Sequence, residues 1–291
     1  MSFDLRDKVV VVTGGAGDIA RAFSTRAAAG GATLALVDRR ADALRAAVDA
    51  LPGAGHTTHL CDLTDETAVR ALVDDLERAH GRIDVLVNNV GMTSAERFDQ
   101  RSVDSIRHEI EVNLLSPLVL TRLAVPLLHR SADARVATTV SLGGIFPLGE
   151  TPIYTASKFG LRGAMLSISL DLRSRGITAG SVLPSATDTR MLRQEAIDGG
   201  NALQFQDRPQ PPDAVARALV SLLDRPRLEV YPRRSESVLV RVAMLFPNAL
   251  PRMMTLFRRR GERGQAAYLR QLEDAGHIVR RDGVPELVET R

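Results

Sequence analysis

The sequence predicts an α/β fold: a doubly wound parallel sheet with helices on both faces. Short apolar runs typical of buried strands alternate with segments of helical periodicity through the first 231 residues. Such alternation builds βαβ units with parallel strands. The first apolar run also leads directly into a glycine-rich turn that opens a helix, the arrangement in which open α/β sheets hold phosphate groups.

The predicted elements follow one another with short connections. Strands are predicted at residues 8–13, 33–37, 57–60, 83–87, 135–141, 177–183 and 228–231. Helices are predicted at residues 18–29, 41–50, 65–80, 103–130 and 154–175, and a further helix is expected to begin at 211–213. Residues 198–201 contain two glycines and an asparagine, which predicts a mobile loop in a region that covers the substrate.

One domain with a tail is expected. Residues 1–231 hold the alternating pattern, and residues 232–291 form a basic, partly amphipathic C-terminal extension. The extension is too short and too interrupted to span a bilayer. We favour packing against its own domain or a partner subunit, while contact with a membrane surface and cover of the substrate pocket stay open.

Composition narrows the class of protein. Hydrophobic residues make up 44% and charged residues 25% of the chain, which is typical of a packed globular protein. The N-terminal apolar run is too short for a secretory signal, so we expect a cytoplasmic protein. Basic residues lie beside acidic ones and the net charge is only +3, so no nucleic-acid partner is expected. A single cysteine and no suitably spaced histidine pair predict no metal site.

The glycine-rich turn, residues 13–20, reads Thr-Gly-Gly-Ala-Gly-Asp-Ile-Ala. Its backbone N–H groups and the following helix dipole can meet a pyrophosphate. Gly14, Gly17, Asp18 and Ile19 are therefore candidate cofactor contacts. An anion near phosphate is unfavourable, so Asp18 is expected to turn its carboxylate away or to cap the helix. A turn that no longer binds nucleotide is the alternative interpretation.

Asp38 ends the second predicted strand, about 20 residues beyond the glycines, where a carboxylate can accept both ribose hydroxyls and repel a 2′-phosphate. Arg39 and Arg40 follow it, and either could approach a phosphate. Because like charges close together repel strongly, Asp38 favours NAD(H) as cofactor, and NADP(H) stays open. Arg39 is included among the candidate cofactor contacts.

Tyr154 and Lys158 are four residues apart at the start of a predicted helix, which places both side chains on one face. Only Lys8 and Lys158 are lysine among the 38 basic residues, so lysine is not the default cation of this chain. A tyrosine titrates near pH 10, and we expect a depression of about two to three pKa units when an ammonium and an oxidised nicotinamide both adjoin it. An amphipathic helix also produces this spacing by chance, so the neighbouring motifs determine whether the pair is interpreted as catalytic.

Those neighbours carry a family resemblance that covers about residues 5–231. Ser141 closes the strand before Tyr154, and Asn113 lies on the long helix before that strand. With Lys158 they resemble the Asn-Ser-Tyr-Lys set of the short-chain dehydrogenase/reductase family, and Tyr-Thr-Ala-Ser-Lys matches its YxASK form. The glycine-rich turn resembles the family's TGxxxGxG motif, although aspartate and alanine replace its later glycines.

Three further segments resemble family motifs that contact the cofactor. The end of the third strand is similar to the adenine contact, Asn-Asn-Val-Gly after the fourth strand to the NNAG motif, and Pro-Ser-Ala-Thr-Asp-Thr to the PGxxxT segment that holds the nicotinamide amide. The resulting candidates are Asp62, Leu63, Asn89, Val90, Gly91, Pro184, Thr187 and Thr189. Tyr154 and Lys158 are also expected to touch the cofactor.

The resemblance implies hydride transfer between NAD(H) and a secondary alcohol or ketone. Tyr154 would be the general acid and base, and Ser141 would hydrogen-bond the same substrate oxygen. Lys158 would lower the Tyr154 pKa and hold the nicotinamide ribose, while Asn113 would position a water.

The substrate is expected to be a lipophilic small molecule, because apolar residues 145–148 and 191–192 follow the two motifs at the chemical end. A homo-oligomer is also expected. A dinucleotide-binding redox sensor without turnover and a peripheral membrane scaffold are the alternative functions.

Overall fold

The computed structural model describes residues 3–281 and 284–288, apart from the side chain of Leu256. Residues 1–2, 282–283 and 289–291, which belong to the two predicted regions, lie outside the described residues.

A seven-stranded parallel sheet lies at the centre of the fold. Its strands are β1 (Val9–Thr13), β2 (Thr33–Asp38), β3 (Thr57–Leu60), β4 (Val85–Asn88), β5 (Arg135–Thr139), β6 (Thr178–Val182) and β7 (Glu229–Val230). They are ordered β3-β2-β1-β4-β5-β6-β7, and each neighbouring pair is parallel. The predicted doubly wound sheet is confirmed. The winding direction reverses between β1 and β4, the place where open α/β sheets bind ligands.

Helices cover both faces of this sheet. They are α1 (Asp18–Ala29), α2 (Ala41–Asp49), α3 (Glu66–His80), α4 (Val103–Ile110), α5 (Ser116–Leu128), α6 (Pro152–Arg173), α7 (Arg190–Ile197), α8 (Pro212–Asp224), α9 (Arg234–Met244) and α10 (Leu250–Asp274). Strands β8 (Ile278–Arg281) and β9 (Val284–Leu287) pair antiparallel near the C-terminus.

The alternation of side chains along β1 divides the core into two layers. Val11 packs in a cluster with apolar residues of α3, α5 and α6, whereas Val10 and Val12 pack in a second cluster with residues of α1, α2 and α8. Successive strand residues point to opposite faces. Because both faces are covered, β1 is an unbroken apolar run.

The predicted helix at residues 103–130 is interrupted. Helices α4 and α5 are joined by a π-helical turn, Glu111–Leu115, and such turns often occur at functional sites. The run Val103–Leu128 is long and apolar enough to cross a membrane by length and composition. Its residues Leu120 and Leu127, however, are fully buried in the core beside the sheet, as expected for an interior helix.

The C-terminal extension packs on a segment that sequence patterns describe poorly. We call residues 188–205, which contain α7 and the 3-10 turn Ala202–Phe205, the cover segment. Its apolar side chains form a cluster with the extension, consisting of Leu192, Ala196, Phe205, Tyr268, Leu272 and Ile278. Residues 198–201, predicted as a mobile loop, form a turn in which Asn201 is fully buried.

Close backbone contact holds α10 on the cover segment. A Cβ added at Gly261 would overlap the carbonyl oxygen of Ala202, and one at Gly264 would overlap that of Phe205. Tyr268, further along the same helix, donates its hydroxyl to Asp188 Oδ1 at 2.6 Å. The extension therefore packs against its own chain.

Candidate active site

A cavity of about 730 Å³ opens at the carboxyl ends of the parallel strands. It is lined by the glycine-rich turn, the ends of β2, β4, β5 and β6, the first turns of α6, and the cover segment. The predicted site residues that line it are Gly14, Gly17, Asp18, Ile19, Asp38, Arg39, Asp62, Leu63, Asn89, Val90, Gly91, Ser141, Tyr154, Lys158, Pro184, Thr187 and Thr189. Asn113 lies behind the wall and is fully buried.

The glycine-rich turn is shaped for close approach of a ligand. Gly14 has a φ of 62°, and a Cβ there would lie 3.2 Å from Val90 Cα. Gly15 donates its N–H to Val37 O at 2.9 Å. Gly17 precedes α1 as its N-cap and provides no side-chain cap, so the first N–H groups of this helix are open to an anion. These features fit a dinucleotide pyrophosphate.

Asp18 points away from the start of its own helix. Its Oδ2 accepts a hydrogen bond of 2.7 Å from the backbone N–H of Arg190, the first residue of α7. This bond joins the glycine-rich turn to the cover segment. The expectation that Asp18 turns aside agrees with this geometry.

Asp38 is 9% exposed and its carboxylate is already bonded. Oδ2 accepts from Ala16 N at 3.1 Å, while Oδ1 accepts from Arg40 N at 3.1 Å and from Arg40 Nε at 3.2 Å. Arg40 is thus drawn to Asp38. Arg39 is exposed and lines the cavity, where its charge helps lower the pKa of Asp62 below the usual range, after the larger effect of hydrogen bonds from Thr64.

The loop after β4 is fixed against β1. Thr13 Oγ1 accepts hydrogen bonds from Asn89 N at 2.9 Å and Val90 N at 3.2 Å. Asn89 Oδ1 in turn accepts from the Thr139 hydroxyl at 3.1 Å. A Cβ at Gly91 would lie 3.4 Å from Lys158 Nζ. A glycine there leaves space around the ammonium group.

Ser141, Tyr154 and Lys158 meet at the other end of the cavity. Helix α6 begins with Pro152 at its first position, where the fixed φ of proline suits a helix start. Its first turns present Tyr154, which hydrogen-bonds Ser141, and Lys158, whose Nζ lies 5.7 Å from the centroid of the tyrosine ring. Ser141 Oγ also accepts from Gly143 N at 2.9 Å.

Asn113 joins the site from behind. On the π-helical turn, its Nδ2 donates to Met92 O at 2.9 Å and to Ser157 Oγ at 3.1 Å, and its Oδ1 accepts from Met92 N at 2.8 Å. The side chain therefore connects the loop after β4 to α6. It is placed to hold the helix that carries Tyr154 rather than to enter the cavity.

Burial dominates the titration of Tyr154 and Lys158. It raises the pKa of Tyr154 to about 12, with a lowering by the Ser141 hydrogen bond and further raising by Glu195 and Glu109. Burial lowers the pKa of Lys158 to about 8 against the opposing attraction of Glu109. The protein's own groups thus shift the Tyr154 pKa upward. This direction is opposite to the one expected beside an oxidised nicotinamide, because burial and two carboxylates outweigh the Ser141 bond.

Sequence reasoning missed these two carboxylates. Glu195 is 5% exposed, lines the cavity and accepts from Gln204 Nε2 at 2.5 Å, and burial raises its pKa to about 7. Glu109 is fully buried against Arg101, with a pKa raised by burial. One signal was available in the sequence. Glu109 precedes Asn113 by four residues, the spacing of one helix face.

The wall around the substrate end is mixed in polarity. Met191 and Leu192 line the cavity as expected, and the C-terminal extension adds Leu287 and Val288. Residues 145–148, expected as a further apolar wall, are not among the lining residues, and Ile145 packs in the core. For Ile145 that assignment was wrong, because its side chain is buried in the core; for residues 146–148, which are half-buried, it stays a prediction. Polar cavity residues here include Glu195, Gln204 and His277.

Comparisons with known proteins point to one family. The family model described as short chain dehydrogenase matches residues 8–198. The chain is 31% identical over 195 residues to 3beta-hydroxysteroid dehydrogenase of Mediterraneibacter gnavus, covering 66% of this chain and 70% of that protein. It is 31% identical over 188 residues to 2-dehydro-3-deoxy-L-rhamnonate dehydrogenase (NAD(+)) of a Sphingomonas species, covering 64% and 75% respectively. A short chain dehydrogenase/reductase of Burkholderia phymatum, solved in complex with NAD, superposes with a TM-score of 0.78 at 22% identity, covering 85% of this chain and 96% of that one.

Proposed function

Because the chain belongs to the short-chain dehydrogenase family, we propose that it is an oxidoreductase that transfers a hydride between NAD(H) and a secondary alcohol or ketone. The observation that carries this proposal is the meeting of Ser141, Tyr154 and Lys158 in one cavity whose far end is formed by the glycine-rich turn and Asp38. The residues that would transfer the proton and the residues that would bind the dinucleotide then line the same cavity.

The residues divide the reaction between them. NAD(H) supplies or takes up the hydride. The Tyr154 hydroxyl gives its proton to the substrate oxygen in reduction and receives it in oxidation, as a general acid and base. The Ser141 hydroxyl hydrogen-bonds the same oxygen and holds it near Tyr154. The buried ammonium of Lys158 favours the tyrosinate through its charge. It lies beside Gly91 in the same cavity and would bond the ribose hydroxyls of the cofactor.

NAD(H) is the cofactor we propose, although NADP(H) is the alternative that a titration must test. Asp38 is nearly buried at the end of β2 and draws one of the two adjacent arginines to itself. A 2′-phosphate placed there would meet a carboxylate. Arg39 lines the cavity and favours the alternative. The relative from Sphingomonas, whose name specifies NAD(+), supports the same choice.

The substrate we propose is a largely lipophilic secondary alcohol or ketone. Met191, Leu192, Leu287 and Val288 give the cavity apolar walls, and the relative from Mediterraneibacter gnavus is named for a hydroxysteroid. Polar groups beside these walls suit a substrate that also carries a hydrogen-bonding group away from the reacting carbon. Cytoplasmic location and homo-oligomeric assembly stay predictions from the sequence.

The test is a screen of ketones and alcohols with NAD(H) and NADP(H), followed by absorbance of the reduced nicotinamide. We expect turnover in the wild type and its loss in Tyr154→Phe, which keeps the ring and removes the proton. Binding of NADH, followed by its fluorescence, should stay within a few fold and serves as the control. A Tyr154→Phe variant with unchanged kcat would contradict the assignment, and NADH binding without any turnover across the screen would favour the redox-sensor alternative.

A further inference from the structure

Helix α9 and the residues that follow it expose an apolar stripe to solvent. The side chains are between 51% and 73% exposed, and they are Val238, Leu239, Val242, Leu245 and Phe246. Their spacing follows one face of a helix. Large apolar side chains grouped in this way mark interaction surfaces more often than scattered single ones do.

The stripe faces outward because the opposite side of α9 is docked on the protein. Ser237 and Ala243 are buried, and Val240 packs against the main core cluster. In the last turn of the helix, the Arg241 guanidinium lies 4.2 Å from the centroid of the Tyr231 ring. The exposed face is therefore a fixed surface of the folded chain.

Positive charge is concentrated in the segment of the chain that carries this stripe. Residues 232–263 contain eight arginines and two glutamates, a net charge of +6 on a chain whose total is only +3. The remainder of the chain is thus slightly acidic. Arg234, Arg252 and Arg259 are exposed, and within residues 3–281 and 284–288 none of them forms an ion pair with a carboxylate.

We propose that this face, residues 234–263, docks on the surface of an anionic phospholipid bilayer. Apolar side chains of an amphipathic helix enter the boundary between headgroups and acyl chains, while arginines beside them meet anionic headgroups. Helix α9 has 11 residues, which suits a helix that lies in the interface and is far too short to span it. The enzyme would then work as a peripheral protein.

A second copy of the chain fits this surface less well. An isologous contact brings the same patch of both copies together. Here it would place one set of seven arginines against another, and like charges at an interface oppose association. An anionic bilayer satisfies both the apolar stripe and its charge.

The test is co-sedimentation of the full chain with phosphatidylcholine vesicles, with and without about one third phosphatidylglycerol. We expect binding to the anionic vesicles at low salt and release at high salt. The double variant Leu245→Ser/Phe246→Ser should lower the partition coefficient at least about tenfold. Arg252→Gln and Arg259→Gln should each lower it about fivefold.

Matched controls come from α6. Leu170 is 62% exposed and Arg173 is exposed at the end of that helix, so Leu170→Ser and Arg173→Gln should leave vesicle binding unchanged. Far-UV circular dichroism melts show whether each variant is folded. Equal sedimentation with and without anionic vesicles would overturn the proposal, as would binding that the variants at 245 and 246 do not weaken. A different outcome is also informative. If the wild type does not bind vesicles, and the Leu245→Ser/Phe246→Ser variant without vesicles has a lower sedimentation coefficient than the wild type, the face is a contact between copies of the chain.

Discussion

Replacing Glu195 by glutamine should make the protein more stable above neutral pH. Glu195 is a cavity-lining carboxyl that is 5% exposed, and burial raises its pKa to about 7 from an ordinary 4.5. Its hydrogen bond from Gln204 does not need a charge on the acceptor. Glutamine keeps the side-chain length and a carbonyl that can accept the same bond.

The size of the effect follows from proton linkage. Between pH 4.5 and 7 the unfolded chain has lost this proton while the folded chain keeps it, so wild-type stability falls as pH rises through this window. A shift of about 2.5 pKa units corresponds to about 3 kcal/mol. The glutamine variant has no such loss. The difference in free energy of unfolding, variant minus wild type, should therefore be up to about 3 kcal/mol larger at pH 8 than at pH 4.5.

Urea unfolding followed by far-UV circular dichroism at several pH values measures this difference, since the chain has no tryptophan. Glu96→Gln is the matched control, because Glu96 is exposed and its replacement should give a difference that does not change with pH. A Glu195→Gln variant whose stability runs parallel to that of the wild type from pH 5 to pH 8 would refute the reasoning.

Three other substitutions test separate parts of the site. Lys158→Arg should lose most of its kcat although charge is kept, because a planar guanidinium cannot replace a compact ammonium in this buried place; near-normal initial rates would contradict that role. In the wild type, kcat/KM should favour NAD(H) over NADP(H) by at least about tenfold. Asp38→Ala should narrow or reverse this preference, because it frees Arg40. If the ratio of the two kcat/KM values is unchanged in the variant, Asp38 does not discriminate between the cofactors. Gly264→Ala should destabilise the chain by about 1–3 kcal/mol as α10 is pushed off the cover segment, measured as a lower Tm, whereas Gly163→Ala, with open space around it, should be neutral or slightly stabilising.

Local sequence patterns were sufficient wherever one element determines the geometry. The apolar runs of β1 and β2 are buried strands because both faces of a parallel sheet are covered. Tyr154 and Lys158 share a helix face because they are four residues apart. The doubly wound order then brings the ends of separate strands to one edge, which is why residues distant in sequence line one cavity.

Sequence patterns failed where contacts between distant segments determine the local structure. The π-helical turn at Asn113 interrupts a run that the sequence pattern predicts as a continuous helix. The Asn113 side chain on this turn bonds Met92 and Ser157, which lie in distant segments. Glu195 lies in a polar-looking helix, and it becomes a buried acid because the following turn folds back on it through Gly200 and Gln204. The periodicity of apolar residues does not indicate which other residues of the chain pack over a given side chain.

Gly261 and Gly264 give the C-terminal arrangement a recognisable signature. With Tyr268 they form a Gly-x-x-Gly-x-x-x-Tyr pattern on α10, and each member is required by a specific contact with the cover segment. The region that defines the family ends before this helix begins. Related chains that carry the pattern should close the same side of the cavity with their own C-terminus, through the equivalents of His277, Leu287 and Val288. Relatives without the pattern should form that wall from other segments. The substrate preference of one relative should therefore be used to predict that of another only when both carry the pattern or both lack it.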